Sequence, residues 1–448
     1  MGIGWRHRPC TSSIAIMSYS DLSLAVQIVS LSPVDASKNG PWNAPAWEDD
    51  EAMQTEIPSL TPSLSAPWPA KPNELPKEIF HRQDIYQLEL ERIFRGPVWH
   101  MVGHVAELPK PGDFKTTIIG DVRLLMLHGK DGVVRVFHNS CPHRGTQLET
   151  AARGCRGEIE CPYHRWVFNM EGALVSASGR DRFPSTFRNE DYGLRTLKTE
   201  LRHGLIFSTF SDMAPPLDEF LGPAGEVLRQ ALGGDERVTL LGYQKVVYHG
   251  NWKECSDNEG YHAPLLHRAF RLLKWQGGKG TQSVSPYGHK TISAELAEAP
   301  KGKFLNDPSL IELRDPSRVP RSFVVQLFPL NVFVRHLDVI NMRVAFPLSP
   351  HATEVHYAYF SRQEDDGDMR SHRRRQAANL LGPSGFISLE DGAVFDRLHE
   401  GSYTPGTVAF QKGVTDDGGI ESIQLQNDEA SNLLKWEVYQ SMMGFTHD

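Results

Sequence analysis

The chain has 448 residues, of which 40% are hydrophobic and 23% charged, an ordinary composition for a soluble globular protein with two or three cores. A net charge of −8 excludes the basic surface that nucleic acids and anionic membranes require. No apolar run reaches the roughly 18 residues that span a bilayer, no signal peptide is recognisable, and the five cysteines are scattered. We therefore expect a cytoplasmic protein without structural disulfides.

The first 75 residues show weak periodicity. Pro58 to Pro72 is rich in proline and serine and cannot bury much apolar surface. We interpret residues 1–75 as a flexible extension and linker. From Pro76 to Phe94, apolar residues recur at helical spacing among charged ones, which predicts one amphipathic helix within a lead-in segment at 76–97.

A small β domain is predicted at residues 98–215. Its turns are marked by Gly120-Asp121, Asp131-Gly132 and Glu171-Gly172, the last within a hairpin that begins at Trp166, and Pro215-Pro216 marks its end. The other predicted strands are the short apolar segments at 116–119, 122–127, 133–137 and about 204–210.

Two clusters of metal-binding residues lie inside this domain. Cys141-Pro142-His143 is followed, after seventeen residues, by Cys161-Pro162-Tyr163-His164. Each cluster contributes one thiolate and one imidazole, which suits a 2Fe-2S centre of the Rieske kind better than structural zinc, whose clusters usually pair cysteines. Cys155 lies between them without a partner at ligand spacing, so we expect an ordinary thiol there. A zinc-binding interaction module remains the alternative.

A second metal site is indicated by His262 and His267. They are five residues apart, which on a regular helix separates their side chains by about 140° around the axis. This argues against the helix of a zincin, whose two histidines are four residues apart. Pro264 suits the first turn of a helix, with His262 just before that helix and His267 within it. Non-haem Fe(II) oxygenases need two histidines and one carboxylate. Asp391 is the predicted third ligand, with Glu390 as the runner-up.

The remainder, residues 216–448, is expected to form a catalytic domain that holds the mononuclear iron. Its predicted antiparallel sheet comprises apolar segments at 323–328, 332–336, 339–346 and 354–360. Residues 365–381 predict a charged surface helix, and residues 429–443 a terminal amphipathic helix.

These motifs resemble those of the Rieske non-haem iron ring-hydroxylating oxygenases, specifically the large (α) subunits of the salicylate and anthranilate hydroxylase type. The resemblance covers about residues 80–445 and includes Asn251-Trp252-Lys253, Tyr261-His262 and Glu390-Asp391-Gly392. It implies an α+β fold: a Rieske β-domain inserted in a helix-grip (START-like) catalytic domain with an antiparallel sheet. The implied cofactors are one 2Fe-2S cluster, held by Cys141, His143, Cys161 and His164, and one mononuclear non-haem Fe(II).

The resemblance also implies a homotrimer, or an α3β3 assembly with a small β subunit, in which the cluster of one subunit serves the iron of its neighbour. A carboxylate three residues before the first iron histidine would bridge the centres, in the order His164, Glu259, His262. The segment from Trp252 to His262 is two or three residues shorter than is usual in the family, so Asp257 is the alternative bridge.

Electrons must come from outside the chain, since it has neither a Gly-x-Gly-x-x-Gly dinucleotide fingerprint nor a four-cysteine ferredoxin pattern. We expect an NAD(P)H reductase, with or without a ferredoxin. A different class, a Rieske electron carrier without catalysis, would end soon after residue 215.

The substrate is less constrained by sequence. Asp84-Ile85-Tyr86 and Pro111 to Lys115 resemble salicylate and anthranilate hydroxylases, which favours O2-dependent hydroxylation of an aromatic carboxylate, whereas a Glu259 bridge resembles enzymes that oxidise quaternary amines or remove methyl groups. Arg335 and Arg343 either anchor such a carboxylate or lie on the solvated face of the sheet. A glycine-rich segment at 277–280 is either a phosphate cradle or an entrance loop.

Overall fold

The computed structural model describes residues 68–234, 237–257, 280–296, 307–315, 320–421 and 423–445. None of the helices in these ranges has the length and apolar character required to cross a membrane. The end of the predicted linker is packed in this structure. Trp68 stacks on Phe445 with ring centroids 5.7 Å apart, and Leu75 is buried in strand β1 (Glu74–Pro76).

The lead-in segment is interrupted rather than one continuous helix. A 3-10 turn at Lys77–Phe80 precedes helix α1 (Gln83–Glu89), which continues as a π turn at Leu90–Phe94. The break falls at His81, whose ring stacks on Tyr403 at 4.7 Å. A tertiary contact thus accompanies a bend in a segment whose periodicity alone predicts one helix.

The next region is built of three small antiparallel sheets with the strand orders β10-β11-β2, β5-β4-β3-β6 and β7-β8-β9. Short 3-10 turns lie at Val105–Glu107, Arg180–Arg182 and Asn189–Tyr192. The predicted strands and the hairpin after Trp166 are confirmed. The strands are β2 (His100–His104), β3 (Asp113–Ile119), β4 (Val122–His128), β5 (Val134–His138), β6 (Arg153–Cys155), β7 (Ile159–Glu160), β8 (Val167–Phe168), β9 (Leu174–Ser176), β10 (Lys198–Arg202) and β11 (Leu205–Thr209).

Helices α2 (Leu217–Leu221) and α3 (Pro223–Leu232) lead into an eight-stranded antiparallel sheet of order β12-β18-β17-β16-β15-β14-β13-β20. The four strands predicted between residues 323 and 360 are confirmed, and β12, β13, β14 and β20 join them. The strands are β12 (Val238–Tyr248), β13 (Gly280–Val284), β14 (Lys290–Glu295), β15 (Arg321–Leu327), β16 (Asn331–His336), β17 (Val339–Ser349), β18 (Ala352–Arg362) and β20 (Gln424–Leu425), while β19 (Thr407–Ala409) pairs with β1.

The remaining helices come from separate parts of the chain. They are α4 (Trp252–Ser256), α5 (Gly367–Gln376) with a π turn at Ala377–Leu381, α6 (Ser388–Ser402) and α7 (Asn432–Met443), and a 3-10 turn lies at Pro308–Ile311. Helix α6 lies against β12 at Gly392, where an added Cβ would come within 2.9 Å of the Tyr248 ring. The predicted α+β class with an antiparallel sheet is confirmed.

The prediction that residues 365–381 form a surface helix is wrong for one face of α5. Arg373 and His372 are almost fully buried. Arg373 donates to Asp315 at 2.8 Å and to Asp365 at 2.7 Å, and His372 lies 3.1 Å from Asp338. Buried charges are tolerated when they are paired in this way, so a charged sequence does not place this helix in solvent.

Candidate metal centres

The two Cys-Pro loops have the same backbone conformation. In the first loop, the Cys141 N–H donates to the Thr146 carbonyl at 2.8 Å, and the Cys141 carbonyl accepts from Gly145 at 2.8 Å. In the second loop, the Cys161 N–H donates to Trp166 at 2.8 Å, and the Cys161 carbonyl accepts from Arg165 at 3.1 Å. Each loop ends in a left-handed residue, Gly145 (φ 73°) or Arg165 (φ 58°). The two loops therefore form a matched pair.

The two sulfurs lie together in the interior. Cys141 and Cys161 are 2% and 1% exposed, and their thiols lie within hydrogen-bonding reach of each other. Burial raises the pKa of the Cys141 thiol to about 11, while the backbone N–H groups of His143 and Arg144, which donate to its sulfur, oppose the rise. Two buried thiolates need a cationic partner, and an iron bound by both sulfurs would supply it.

The two imidazoles lie beside each other nearer the surface. The rings of His143 and His164 are 4.7 Å apart, and His143 stacks on Trp166 at 4.8 Å. Within the described part of the chain, the buried Nδ1 of His164 has no hydrogen-bond partner. A buried ring nitrogen normally has one. A metal ion would provide that partner, so the donor set fits a cluster in which two sulfurs hold one iron and two imidazoles the other.

A zinc site would instead gather three or four of these groups around one ion. Across the described residues, no three His, Cys, Asp or Glu side chains are placed to hold a single metal ion. Cys155 lies in β6, opposite Asp113, and forms no disulfide. The geometry therefore favours two pairs of ligands on two different irons.

Asn139 is a supporting residue that spacing did not reveal. Its buried side chain accepts from the N–H groups of Leu148 and Glu149 and donates to the Glu149 carbonyl at 2.7 Å. These bonds tie the chain before Cys141 to the chain after it. A short polar residue just before a ligand loop is the only sequence signal, and turn-forming residues are common at such positions.

Of the three predicted ligands of the second centre, the structure describes Asp391. It is 7% exposed and lies in the first turn of α6, where it lines a cavity of about 470 Å³. Glu390, the runner-up, is half-buried and does not line this cavity. Three other predicted site residues lie outside the described residues: His262, His267 and Glu259, as do Pro264 and residues 277–279 of the glycine-rich segment.

Asp257 lines the same cavity but is already engaged. Its Oδ1 accepts from Lys435 at 2.7 Å and from the indole of Trp436 at 3.1 Å, and its carbonyl accepts from Asn432. These contacts tie the end of α4 to α7. They suit Asp257 to holding the chain in place just before the predicted iron ligands.

A buried ion pair anchors the other end of α4. Glu89, on α1, accepts from Lys253 at 2.5 Å, from the Trp252 indole at 2.7 Å and from the Tyr439 hydroxyl at 2.6 Å. Both charged side chains are at most 1% exposed. Burial lowers the pKa of the Lys253 ammonium, and the Glu89 carboxylate opposes that change.

Replacing Lys253 with methionine should therefore leave the Glu89 charge buried without its counter-ion. We expect a loss of about 3–5 kcal/mol in the free energy of unfolding, measured by urea denaturation. The double variant Glu89→Gln, Lys253→Met removes both charges and should recover part of the loss. An unchanged denaturation midpoint in the single variant would show that the pair does not stabilise the fold.

The two arginines considered for the substrate have different surroundings. Arg335 is 2% exposed, so the alternative that it lies on the solvated face of the sheet is wrong. It donates to the Gln230 and Ala231 carbonyls at the end of α3, which occupies its Nη1. Arg343 is half-buried, donates to Asn341 at 2.8 Å, and lies 4.9 Å from the Tyr357 ring centroid.

Comparison with known proteins identifies two domains in the chain. Residues 98–187 match the Rieske 2Fe-2S domain, and residues 236–420 match the ring hydroxylating alpha subunit (catalytic domain). The large oxygenase component of salicylate 5-hydroxylase from Ralstonia sp is 28% identical, over 84% of this chain and 96% of that protein. The alpha subunit of 2-aminobenzenesulfonate 2,3-dioxygenase from Alcaligenes sp is 31% identical, over 78% and 90%.

Among solved structures, a quaternary ammonium Rieske monooxygenase studied for carnitine oxidation has the same fold, with a TM-score of 0.67 and 22% identity over 83% of this chain and 96% of that one. The chain belongs to the Rieske ring-hydroxylating oxygenases and is an α subunit of that family. Its cofactors are a 2Fe-2S Rieske cluster and a mononuclear iron, supplied with electrons by a separate reductase. The electron-carrier and zinc-module alternatives are therefore wrong.

Proposed function

We propose that this chain is the terminal oxygenase component that hydroxylates an aromatic acid, using O2 and electrons from a separate NAD(P)H reductase in the cytoplasm. One observation carries the proposal. The relatives named for salicylate and 2-aminobenzenesulfonate, both aromatic acids, match more than three quarters of the chain. The acid would be bound in the catalytic domain, close to Asp391.

We assign Cys141 and Cys161 to one iron of the cluster, and His143 and His164 to the other. The support is the matched pair of loops, the contact between the buried sulfurs and the adjacent imidazoles. When bound, the cluster would supply single electrons for the reduction of O2 at the mononuclear iron. Asp391 would hold that iron together with the two predicted histidines.

Asp391, His262 and His267 would form the facial set of two imidazoles and one carboxylate that non-haem iron enzymes use. Support comes from the burial of Asp391 and from its position on the wall of a cavity. The domain boundaries near residues 75, 97 and 215 are part of the same proposal.

The assembly we propose is a homotrimer, or α3β3 with a small β subunit, in which the cluster of one subunit serves the iron of the next. The exposure of the surface around the two imidazoles supports this assembly. His143 is exposed, and Tyr163, beside His164, is 57% exposed. Ligands open to the surface allow a neighbouring chain to approach them. Glu259 is the proposed bridge, since Asp257 is held by Lys435.

Arg343 is the proposed anchor for the acidic group. It lies on β17 over the aromatic ring of Tyr357, and its charge acts on Tyr359. The charges of Arg343 and Asp391 both influence Tyr248. Burial raises the pKa of Tyr248, so its phenol stays neutral, and its hydroxyl hydrogen-bonds Tyr357 at 2.9 Å. A guanidinium among neutral aromatic rings suits a planar anion that also has an aromatic face.

Changing Arg343 to glutamine should therefore weaken binding of an aromatic carboxylate more than it slows turnover. We expect KM to rise by about tenfold or more, because a hydrogen bond to a charged group is worth about 1.5–3 kcal/mol, while kcat changes little. Steady-state product formation measures both constants. Arg335→Gln is not a matched control, because Arg335 donates to the carbonyls at the end of α3. The suitable comparison is Arg343→Lys, which keeps the positive charge but lacks the planar guanidinium group.

The proposed function is tested by turnover with a panel of benzoates, aminobenzoates, aryl sulfonates and methylated amines. Coupled NADH oxidation and product formation are both followed, with a matching reductase. Products from aromatic acids support the proposal. Turnover of methylated amines alone would contradict it and favour an N-demethylating or amine-oxidising enzyme.

A further inference from the structure

A row of hydrogen-bonded groups leads from the surface to the cavity that contains Asp391. Glu254, in α4, lines this cavity, and its Oε2 lies 3.1 Å from Nδ1 of His399 on α6. The Nε2 of His399 lies 3.0 Å from Nδ1 of His351, and the Tyr403 hydroxyl lies 3.1 Å from the same His351 nitrogen. Every step is of hydrogen-bond length.

Burial along the row changes in one direction. Glu254 and His399 are each 5% exposed, whereas His351 is exposed and Tyr403 is 53% exposed. Three separate segments of the chain supply these groups. The row therefore connects bulk water with a carboxylate on the wall of the cavity.

The contacts allow two arrangements of the protons. In the first, Nδ1–H of a doubly protonated His351 donates to Nε2 of His399, and Nδ1–H of His399 donates to the Glu254 carboxylate. In the second, each of these protons has crossed its hydrogen bond. Glu254 is then protonated and donates to His399, and Nε2–H of His399 donates to Nδ1 of the now neutral His351. One proton has moved inward, and no side chain has to leave its place.

We propose that His351, His399 and Glu254 form a relay that carries protons from solvent to the oxygen-activating cavity. The inference rests on the proposed function, because reduction of O2 during hydroxylation consumes two electrons and two protons, whether the product is a diol or a phenol plus water. The reductase supplies the electrons. The relay supplies protons at one fixed carboxylate on the cavity wall, and histidine is suited to the task near neutral pH.

Helix capping alone accounts for only part of this arrangement. Glu254 completes a capping box, since its Oε2 accepts from the Asn251 N–H at 2.7 Å. That role needs one carboxylate and one amide. Capping does not require that Glu254 contact the buried His399, nor that His399 contact the exposed His351.

The test compares His351→Gln with His356→Gln in the full assembly with its reductase. His351 is exposed, so its replacement should leave the fold intact, and His356 is a matched control that also neighbours a glutamate, Glu354, outside the relay. We expect single-turnover product formation to slow by about tenfold in His351→Gln, with partial rescue by added imidazole, and to stay unchanged in the control. Iron content should be the same in all three proteins.

A second measurement does not depend on activity. Deuterium exchange at the C2 position of each histidine, followed by mass spectrometry, reports its titration in the intact protein. If the relay is connected, Glu254→Gln should lower the pKa of His351 two hydrogen bonds away, because the carboxylate that favours a proton on the row is gone. The Glu254 charge alone produces the same shift, so this measurement verifies that the two groups lie close together, and the single-turnover rates test proton transfer itself.

The outcomes separate the relay from the function on which it rests. If the wild-type protein converts none of the aromatic acids, the proposed function is wrong. An active wild type, with His351→Gln as fast as wild type and the His351 titration insensitive to Glu254→Gln, would overturn the relay alone. Slowed product formation with imidazole rescue and a shifted His351 titration would support it.

Discussion

An Asp391→Ala variant is expected to contain about two irons per chain instead of about three and to form no product, while it keeps the colour of the cluster. The side chain is 7% exposed, lies in the first turn of α6 and lines the cavity of about 470 Å³. Losing one of three ligands from a facial site typically releases the metal. Iron and sulfide analysis, together with visible absorption, measures both centres separately.

The control for this variant is Glu390→Ala, the adjacent acidic residue, which is half-buried and does not line the cavity. It should retain about three irons per chain and most of the activity. If Glu390→Ala loses the iron and Asp391→Ala keeps it, the two residues have been assigned in the wrong order. Retention of iron and activity in both variants would place the third ligand elsewhere.

A Glu259→Gln variant is expected to keep both metal centres and yet lose most of its turnover, by about tenfold or more. The amide keeps the size of the side chain but not its charge, so a carboxylate that bridges two imidazoles would be lost without emptying either site. Rapid mixing of the reduced enzyme with substrate and O2 measures reoxidation of the cluster. That reoxidation should slow in step with product formation.

Asp257→Asn distinguishes the two possible bridges. Asp257 pairs with Lys435 at 2.7 Å and with Trp436, so we expect its replacement to lower stability and to leave electron transfer per folded chain unchanged. Near-normal turnover in Glu259→Gln, combined with slow cluster reoxidation in Asp257→Asn, would transfer the bridging role to Asp257.

Local sequence patterns were sufficient to predict much of the strand framework and to single out the two Cys-Pro loops, whose role as cluster ligands stays a prediction. Cys141 and Cys161 each precede a proline and a nearby histidine, and these short spacings correspond to two loops of the same conformation. The alternating apolar segments of β15 to β18 likewise identify strands before any tertiary contact is known. Such signals are local, so they need no knowledge of the partner segments.

Long-range partners could not be predicted in this way. Glu254 lies in a recognisable Asn-x-x-Glu capping pattern, but its contact with His399 joins residues far apart in sequence. The burial of Arg373 could not be predicted for the same reason. Its helix is rich in arginine, and the two residues that pair with it, Asp315 and Asp365, are known only from the structure. The break at His81 likewise coincides with a contact to Tyr403, a ring contributed by a distant helix end.

The central claim is that one polypeptide holds two iron centres of unequal kind, and electron paramagnetic resonance of the purified protein with iron and sulfide analysis tests it most directly. The account predicts a red-brown protein with about three irons and about two sulfides per chain, whose reduced form gives the signal of an imidazole-ligated 2Fe-2S cluster. A colourless protein that contains zinc, or no such signal after reduction, would contradict it.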